Sequence, residues 1–187
     1  MLSHTEMKQG KRVLIDDQPW IIVKADFVKP GKGQAFTKIK VKNLMDGRVI
    51  ERTFKSSDSV AKADVVDVEM QYLYNDGELY HFMNPATFEQ VALSEKQVEE
   101  CKKWLKENEV YEVTLWENRA INVVPPSFMI LEITECEPGV RGDTVTGATK
   151  PAVVESGASI KVPLFVEIGA RVKVDTRTGE YMERAKG

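Results

Sequence analysis

Cysteine is nearly missing from this chain of 187 residues. Cys101 and Cys136 are the only two, far apart in sequence, so they form no disulfide framework and no C-x-x-C metal or redox pair. Both read as small buried hydrophobes. Long apolar runs are missing too: none approaches the ~20 residues that cross a bilayer. The polar start, Met1 to Lys11, lacks the apolar core of a signal peptide. These absences predict a cytoplasmic protein with no membrane partner. His81 stands without a neighbouring carboxylate or cysteine pattern, so it reads as a hairpin residue rather than a ligand or general base, and no metal site is expected. A nucleoside-triphosphate loop is also lacking, because the Gly-Lys pair at Gly31-Lys32 has no glycine five residues before it and no Ser or Thr after it. No fixed-period repeat runs through the chain.

What is present is an ordinary folded composition, 42% hydrophobic and 29% charged. The net charge of −3 conceals a gradient. Residues 1–63 carry 13 Lys and Arg against 7 acidic residues, residues 64–126 carry 5 against 13, and residues 127–187 carry 8 against 9. A basic first third beside an acidic middle is the asymmetry of a chain that offers one end to a polyanion, with nucleic acid the first candidate.

The periodicity is that of strands. In residues 1–63, Arg12 to Ile15, Trp20 to Val28, Phe36 to Asn43 and Arg48 to Phe54 read as strands, separated by turns at Asp16 to Pro19 and Met45-Asp46-Gly47. Short strands with tight turns and little helix predict a small SH3-like barrel. In residues 64–126, Val66 to Tyr74 alternates, Asn75-Asp76-Gly77 turns, and Glu78 to Met83 returns, followed by a short run from Phe88 to Ala92. Ser94 with Gln97 makes a capping box, and Val98, Cys101, Trp104 and Leu105 follow at helical spacing, predicting an amphipathic helix of about three turns. Tyr111 to Leu115 and Ile121 to Val124 are strands again, joined at Glu117-Asn118, and the whole suits an OB-type barrel. Tyr72, Tyr74, Tyr80 and Phe82 read as packing residues rather than base-stacking ones, because the acidic middle third repels RNA. Pro125-Pro126 marks a stiff boundary. Residues 127–187 predict a further small all-β domain, with strands at Phe128 to Ile133, Ala152 to Glu155, Ile160 to Val166 and Ala170 to Asp175.

One stretch organises the rest: Lys29-Pro30-Gly31-Lys32-Gly33-Gln34-Ala35, between the second and third strands. Pro30 fixes its own φ and biases Lys29 toward extended backbone. Gly31 and Gly33 let the chain turn sharply around one long cationic side chain, Lys32. In an arbitrary protein this would be a solvated turn. Here the next strand places Lys38, Lys40 and Lys42 on one face, with Lys24 and Lys29 nearby, and the stripe suits a row of phosphates better than a merely protected edge. Arg141 and Lys150 end a loop of small and hydroxylic residues that could clasp RNA.

The sequence resembles bacterial elongation factor P over essentially its full length. The resemblance rests on Phe27 to Phe36, Thr53-Phe54-Lys55-Ser56, Tyr72 to Gly77, Gly142-Asp143-Thr144, Lys150-Pro151-Ala152, Val162 to Phe165 and Val174 to Tyr181, in that order. It implies an all-β chain of three tandem small barrels, one KOW/SH3-like (1–63) and two OB-like (64–126 and 127–187), arranged roughly like a tRNA. It implies a protein that is not an enzyme; a monomer suits a tRNA-shaped site, and the sequence leaves the oligomeric state open. Such a factor binds the ribosome beside the peptidyl-tRNA and rescues it when stalled on consecutive prolines. The family's modified tip residue falls on Lys32. In the branch with Pro-Gly-Lys-Gly this lysine typically receives a β-lysyl group from a lysyl-tRNA-synthetase-like ligase, with hydroxylation as an added step, and no other cofactor. Two rivals remain. A Schiff-base or proton-transfer lysine would want burial, which a glycine-flanked tip opposes. A general RNA-binding scaffold would use the loop only as a turn.

Overall fold

The computed structural model describes residues 1–139 and 147–186. Among them the protein is nearly all β, with three sheets, two of them barrel-like, and one short helix. By its contacts the chain falls into two compact units, Met1–Val68 with Val113–Asn122, and Glu69–Glu112 with Val123–Gly187.

The first sheet comprises β1 (Leu2–Ser3), β2 (Arg12–Ile15), β3 (Gln18–Val28), β4 (Phe36–Asn43), β5 (Val49–Lys55) and β6 (Ser59–Lys62), in the spatial order β1-β6-β2-β3-β4-β5. Asp16 and Asp17 both take positive φ, 52° and 59°, the primed hairpin turn that two short polar residues tolerate. Pairing therefore resumes at once, and Gln18 and Pro19, expected in the turn, lie in β3 opposite Ile15 and Leu14. The short strands β1 and β6 carry no period to read and were not expected. They exist because they pair with each other and, through β6, with β2. Period-two alternation along β4 buries Thr37, Ile39 and Val41 and exposes Lys38 and Lys40. The core beneath is Leu2, Met7, Val13, Trp20, Ile22, Ile39, Val41 and Val60. Trp20 satisfies its indole by donating to the Ile15 carbonyl at 3.0 Å.

A second sheet joins β7 (Val65–Asn75), β8 (Leu79–Met83), β9 (Gln90–Ser94), β10 (Val110–Trp116) and β11 (Arg119–Val124), ordered β11-β10-β7-β8-β9. Within the second unit the rings of Tyr72, Phe82 and Tyr111 pack against one another, with centroids 5.2 to 6.5 Å apart. Tyr80 is buried too, so three of the four aromatics expected to pack lie in the core, while Tyr74, half exposed, packs across the strands on its partner His81.

The expected helix of three turns is shorter. The capping box of Ser94 and Gln97 forms, but α1 spans only Glu95–Val98, and a 3₁₀ turn follows at Lys102–Trp104. The amides of Cys101 and Trp104 donate three residues back, to Val98 and Cys101, both at 2.8 Å. Val98, Cys101 and Trp104 are spaced by three, which suits a tightened three-residue turn as well as an α-helix. All three are buried, and burial pushes the Cys101 thiol up to about 12, consistent with an inert hydrophobe.

The third sheet holds β12 (Phe128–Cys136), β13 (Thr149–Val154), β14 (Ser159–Pro163), β15 (Arg171–Asp175) and β16 (Glu180–Arg184), ordered β14-β13-β12-β15-β16. Its inward residues include Leu131, Ile133, Val154, Val162, Val172 and Val174. β16, which was not expected, returns from a Thr178-Gly179 turn with Gly179 at φ 76°.

Candidate functional site

The Lys32 loop caps the long β3–β4 hairpin, whose last pair is Val28 opposite Phe36. The hairpin outruns its own core. Ile22 and Ile39 are fully buried, but toward the tip Phe27 and Val28 are 55% and 38% exposed. Residues 29–35 then cross over without forming a backbone hydrogen bond among the described residues. Gly33 takes φ +106°, which a side chain would resist, and a Cβ built there would meet Pro30 Cγ at 3.9 Å. Gly31 has open space around it.

Lys29, Lys32, Gly33 and Gln34 are exposed, and Pro30 is half-buried. Among the described residues Lys32 has no ion pair and no hydrogen bond. A free ammonium on a projecting tip can reach another molecule; it cannot work as a buried Schiff-base lysine.

The lysine stripe behind it is real but tempered. Lys24 and Lys40 pair across the strands, and Lys38 lies opposite Asp26. Lys24 reaches Asp26 at 3.5 Å and Lys38 reaches Glu51 at 3.8 Å, all four side chains more than half exposed. Such surface pairs are worth about 0–1 kcal/mol, so the lysines remain able to exchange partners for phosphates. Lys42 is half-buried.

Two expected contacts fare differently. Lys150, taken as an exposed loop end, is 5% exposed in β13, and its Nζ donates to the Glu137 carbonyl at 2.5 Å. It turns inward with Ala152 and Val154, so its charge holds the third sheet together instead of facing a ligand. Arg141 lies outside the described residues. His81, expected to lack a carboxylate, has one: the hairpin brings Asp76 Oδ2 to 2.7 Å from its Nε2, and Tyr74 stacks on the ring at 4.6 Å. Asp76 sits well below the usual carboxylate range, at about 2, because the Leu79 amide, the His81 ring and the Glu78 amide all bond to it. This is a turn clasp, and no cluster of potential metal ligands occurs among the described residues.

Sequence reading also missed a recess beside the tip end of the hairpin. His4 stacks on exposed Phe27 at 5.8 Å, beside a cavity of about 310 Å³ lined by Met7, Ala25 and Thr37. Nothing local in the sequence links position 4 to 27; the link is Thr37, whose hydroxyl donates to the His4 carbonyl at 2.8 Å.

Three domains of a translation-factor family match the chain in succession, the first of them over the sheet that bears the lysine tip. The elongation factor P (EF-P) KOW-like domain matches residues 3–60, the elongation factor P (EF-P) OB domain residues 65–123, and the elongation factor P C-terminal domain residues 129–184. The chain belongs to the elongation factor P family. Among solved structures, it is similar to a eukaryotic translation initiation factor 5A from Methanococcus jannaschii, at 20% identity and a TM-score of 0.51, over 66% of this chain and 92% of that one. It also matches a translation initiation factor eif-5a family protein from Naegleria fowleri, at 19% identity and a TM-score of 0.48, over 66% and 94%. At such identity the first of these shows a shared fold.

Proposed function

We propose that this protein binds the ribosome beside the peptidyl-tRNA and promotes peptide-bond formation at consecutive prolines, with Lys32 as the group that acts. The observation that carries this is the free ammonium of Lys32 at the tip of a hairpin that outruns its core. Peptide-bond formation needs an amine and an ester carbonyl held in near-attack geometry, and orientation alone can supply several kcal/mol. Proline resists that geometry, because its ring fixes φ and its nitrogen is secondary. Lys32 hydrogen-bonds the end of the peptidyl-tRNA and restrains it. The protein supplies no nucleophile, acid or base; it acts as a cytoplasmic, monomeric accessory to a reaction centre belonging to the ribosome, and it is not an enzyme.

An unmodified lysine reaches only ~6 Å from its Cα. A β-lysyl extension, added by a lysyl-tRNA-synthetase-like ligase and open to hydroxylation, lengthens that reach and adds donors. Lys24, Lys38, Lys40 and Lys42 contact RNA phosphates along the same hairpin. The working modules are residues 1–63, 64–126 and 127–187. Intact-mass measurement of the protein from its own host tests the modification: extra mass on the peptide holding Lys32 is expected. An unmodified peptide, together with generic RNA binding and no effect on proline runs, would favour the RNA-binding scaffold instead.

A further inference from the structure

Phe88 is the most exposed aromatic side chain among the described residues, at 70%. It also holds φ +64°. The other non-glycine residues at positive φ there are Asp, Asn or Glu, residue types found in turns. A bulky ring in that region is an outlier, and folding alone would place Gly or Asn at this position.

The loop that carries it is firmly built. Asn84 Oδ1 accepts from the amides of Ala86 and Thr87 at 2.9 and 3.3 Å, the Phe88 amide donates to the Asn84 carbonyl at 2.8 Å, and the Asn84 amide donates to the Glu89 carbonyl at 2.8 Å. The backbone therefore holds the ring out in one place, stacked on no other ring among the described residues. Neither the strain nor the exposure returns anything to the fold, so the return lies in another molecule.

Charge selects the kind of molecule. Residues 63–95, which include β7, β8 and β9, contain seven carboxylates and no Lys or Arg. Glu89 is in the loop itself, and the register of Gln71 opposite Met83 sets Glu69 at the same end of the hairpin. Asp67 pairs with Arg12 and Glu95 with Lys102, but Glu69 and Glu89, at the Phe88 end, have no ion pair among the described residues, so an RNA strand would meet uncompensated negative charge there. A protein with an apolar pocket rimmed by lysine or arginine would meet a complementary surface. We propose that Phe88 is a preset anchor for a basic protein partner, and, resting on the ribosome-binding reading above, that this partner is a protein of the ribosome.

Phe88→p-benzoylphenylalanine, irradiated on purified ribosomes carrying peptidyl-tRNA, tests the assignment. A cross-link to a ribosomal protein is expected. Cross-links to rRNA or tRNA only, or none from a variant that still co-sediments with ribosomes, overturn it. If the wild-type protein does not co-sediment either, the ribosome reading itself fails and this inference falls with it. Phe88→Gly supplies a second readout: a melting temperature equal to or above wild type, with ribosome affinity weakened about tenfold, and affinity kept by Phe88→Tyr. Wild-type affinity in Phe88→Gly, or a lowered melting temperature, would show the ring to be idle or structural.

Discussion

Gly31 and Gly33 bracket Lys32 but differ in what they allow. A Cβ at position 31 meets open space, whereas a side chain at 33 must adopt φ +106° at a strain of about 1–2 kcal/mol. Gly31→Ala should keep proline-run synthesis, and Gly33→Ala should lose much of it by displacing the tip. Melting should change little in either, because the tip packs against no core; translation of a Pro-Pro-Pro reporter alongside thermal melts checks both. Asp76 gives a pH prediction. Its folded carboxyl lies below the ordinary value of 3.8, near 2, so its contribution is present above pH ~4 and is lost as pH falls toward 2. Thermal melts from pH 5 to 2 should therefore show a smaller acid loss in Asp76→Ala than in wild type, and equal slopes would refute the clasp. Lys150 shows what single residues hide. Its alternation with Ala152 and Val154 was legible as an inward position, but a lysine beside a glycine-rich loop reads as exposed until a carbonyl partner 13 residues away is known.

Among the elements, strands with clean alternation and Asp-Gly or Asn-Asp-Gly turns were readable, β4 to its ends. The short strands β1 and β6 were not, since their pairing partners lie far off in sequence. The helix was readable at its start, where Ser94 and Gln97 cap each other, and misread in length, where a spacing of three fits two kinds of turn. What holds the tightened segment is Tyr111. Its hydroxyl donates to the Trp104 carbonyl at 2.6 Å and accepts from the Lys106 amide at 2.8 Å, and the residue is 1% exposed. Tyr111→Phe removes both bonds and leaves two backbone groups unpaired, a cost of about 2–3 kcal/mol. Ser94→Ala should cost about 1 kcal/mol. Urea denaturation of the two variants gives both numbers, and a Tyr111→Phe loss no larger than that of Ser94→Ala would contradict this account.

On the scale of the whole molecule, charge was the most legible property. The basic first third carries the lysine hairpin, and the acidic middle third carries the Phe88 loop. If the exposed stripe meets phosphates, ribosome affinity should fall linearly on a log–log plot against salt. Lys40→Ala should reduce that slope by about 1. Lys150→Ala should leave the slope alone and lower stability, because its charge faces inward. The location of the tip relative to its core could not be read from sequence; it follows from where burial stops along β3 and β4.

The most direct measurement is the rate of a single Pro-Pro bond on ribosomes saturated with either the wild-type factor or Lys32→Ala, with occupancy determined in the same samples. The presented-lysine account predicts equal occupancy and a rate that drops to that of ribosomes without factor. A Lys32→Ala protein that occupies the ribosome and still restores the full rate would contradict it.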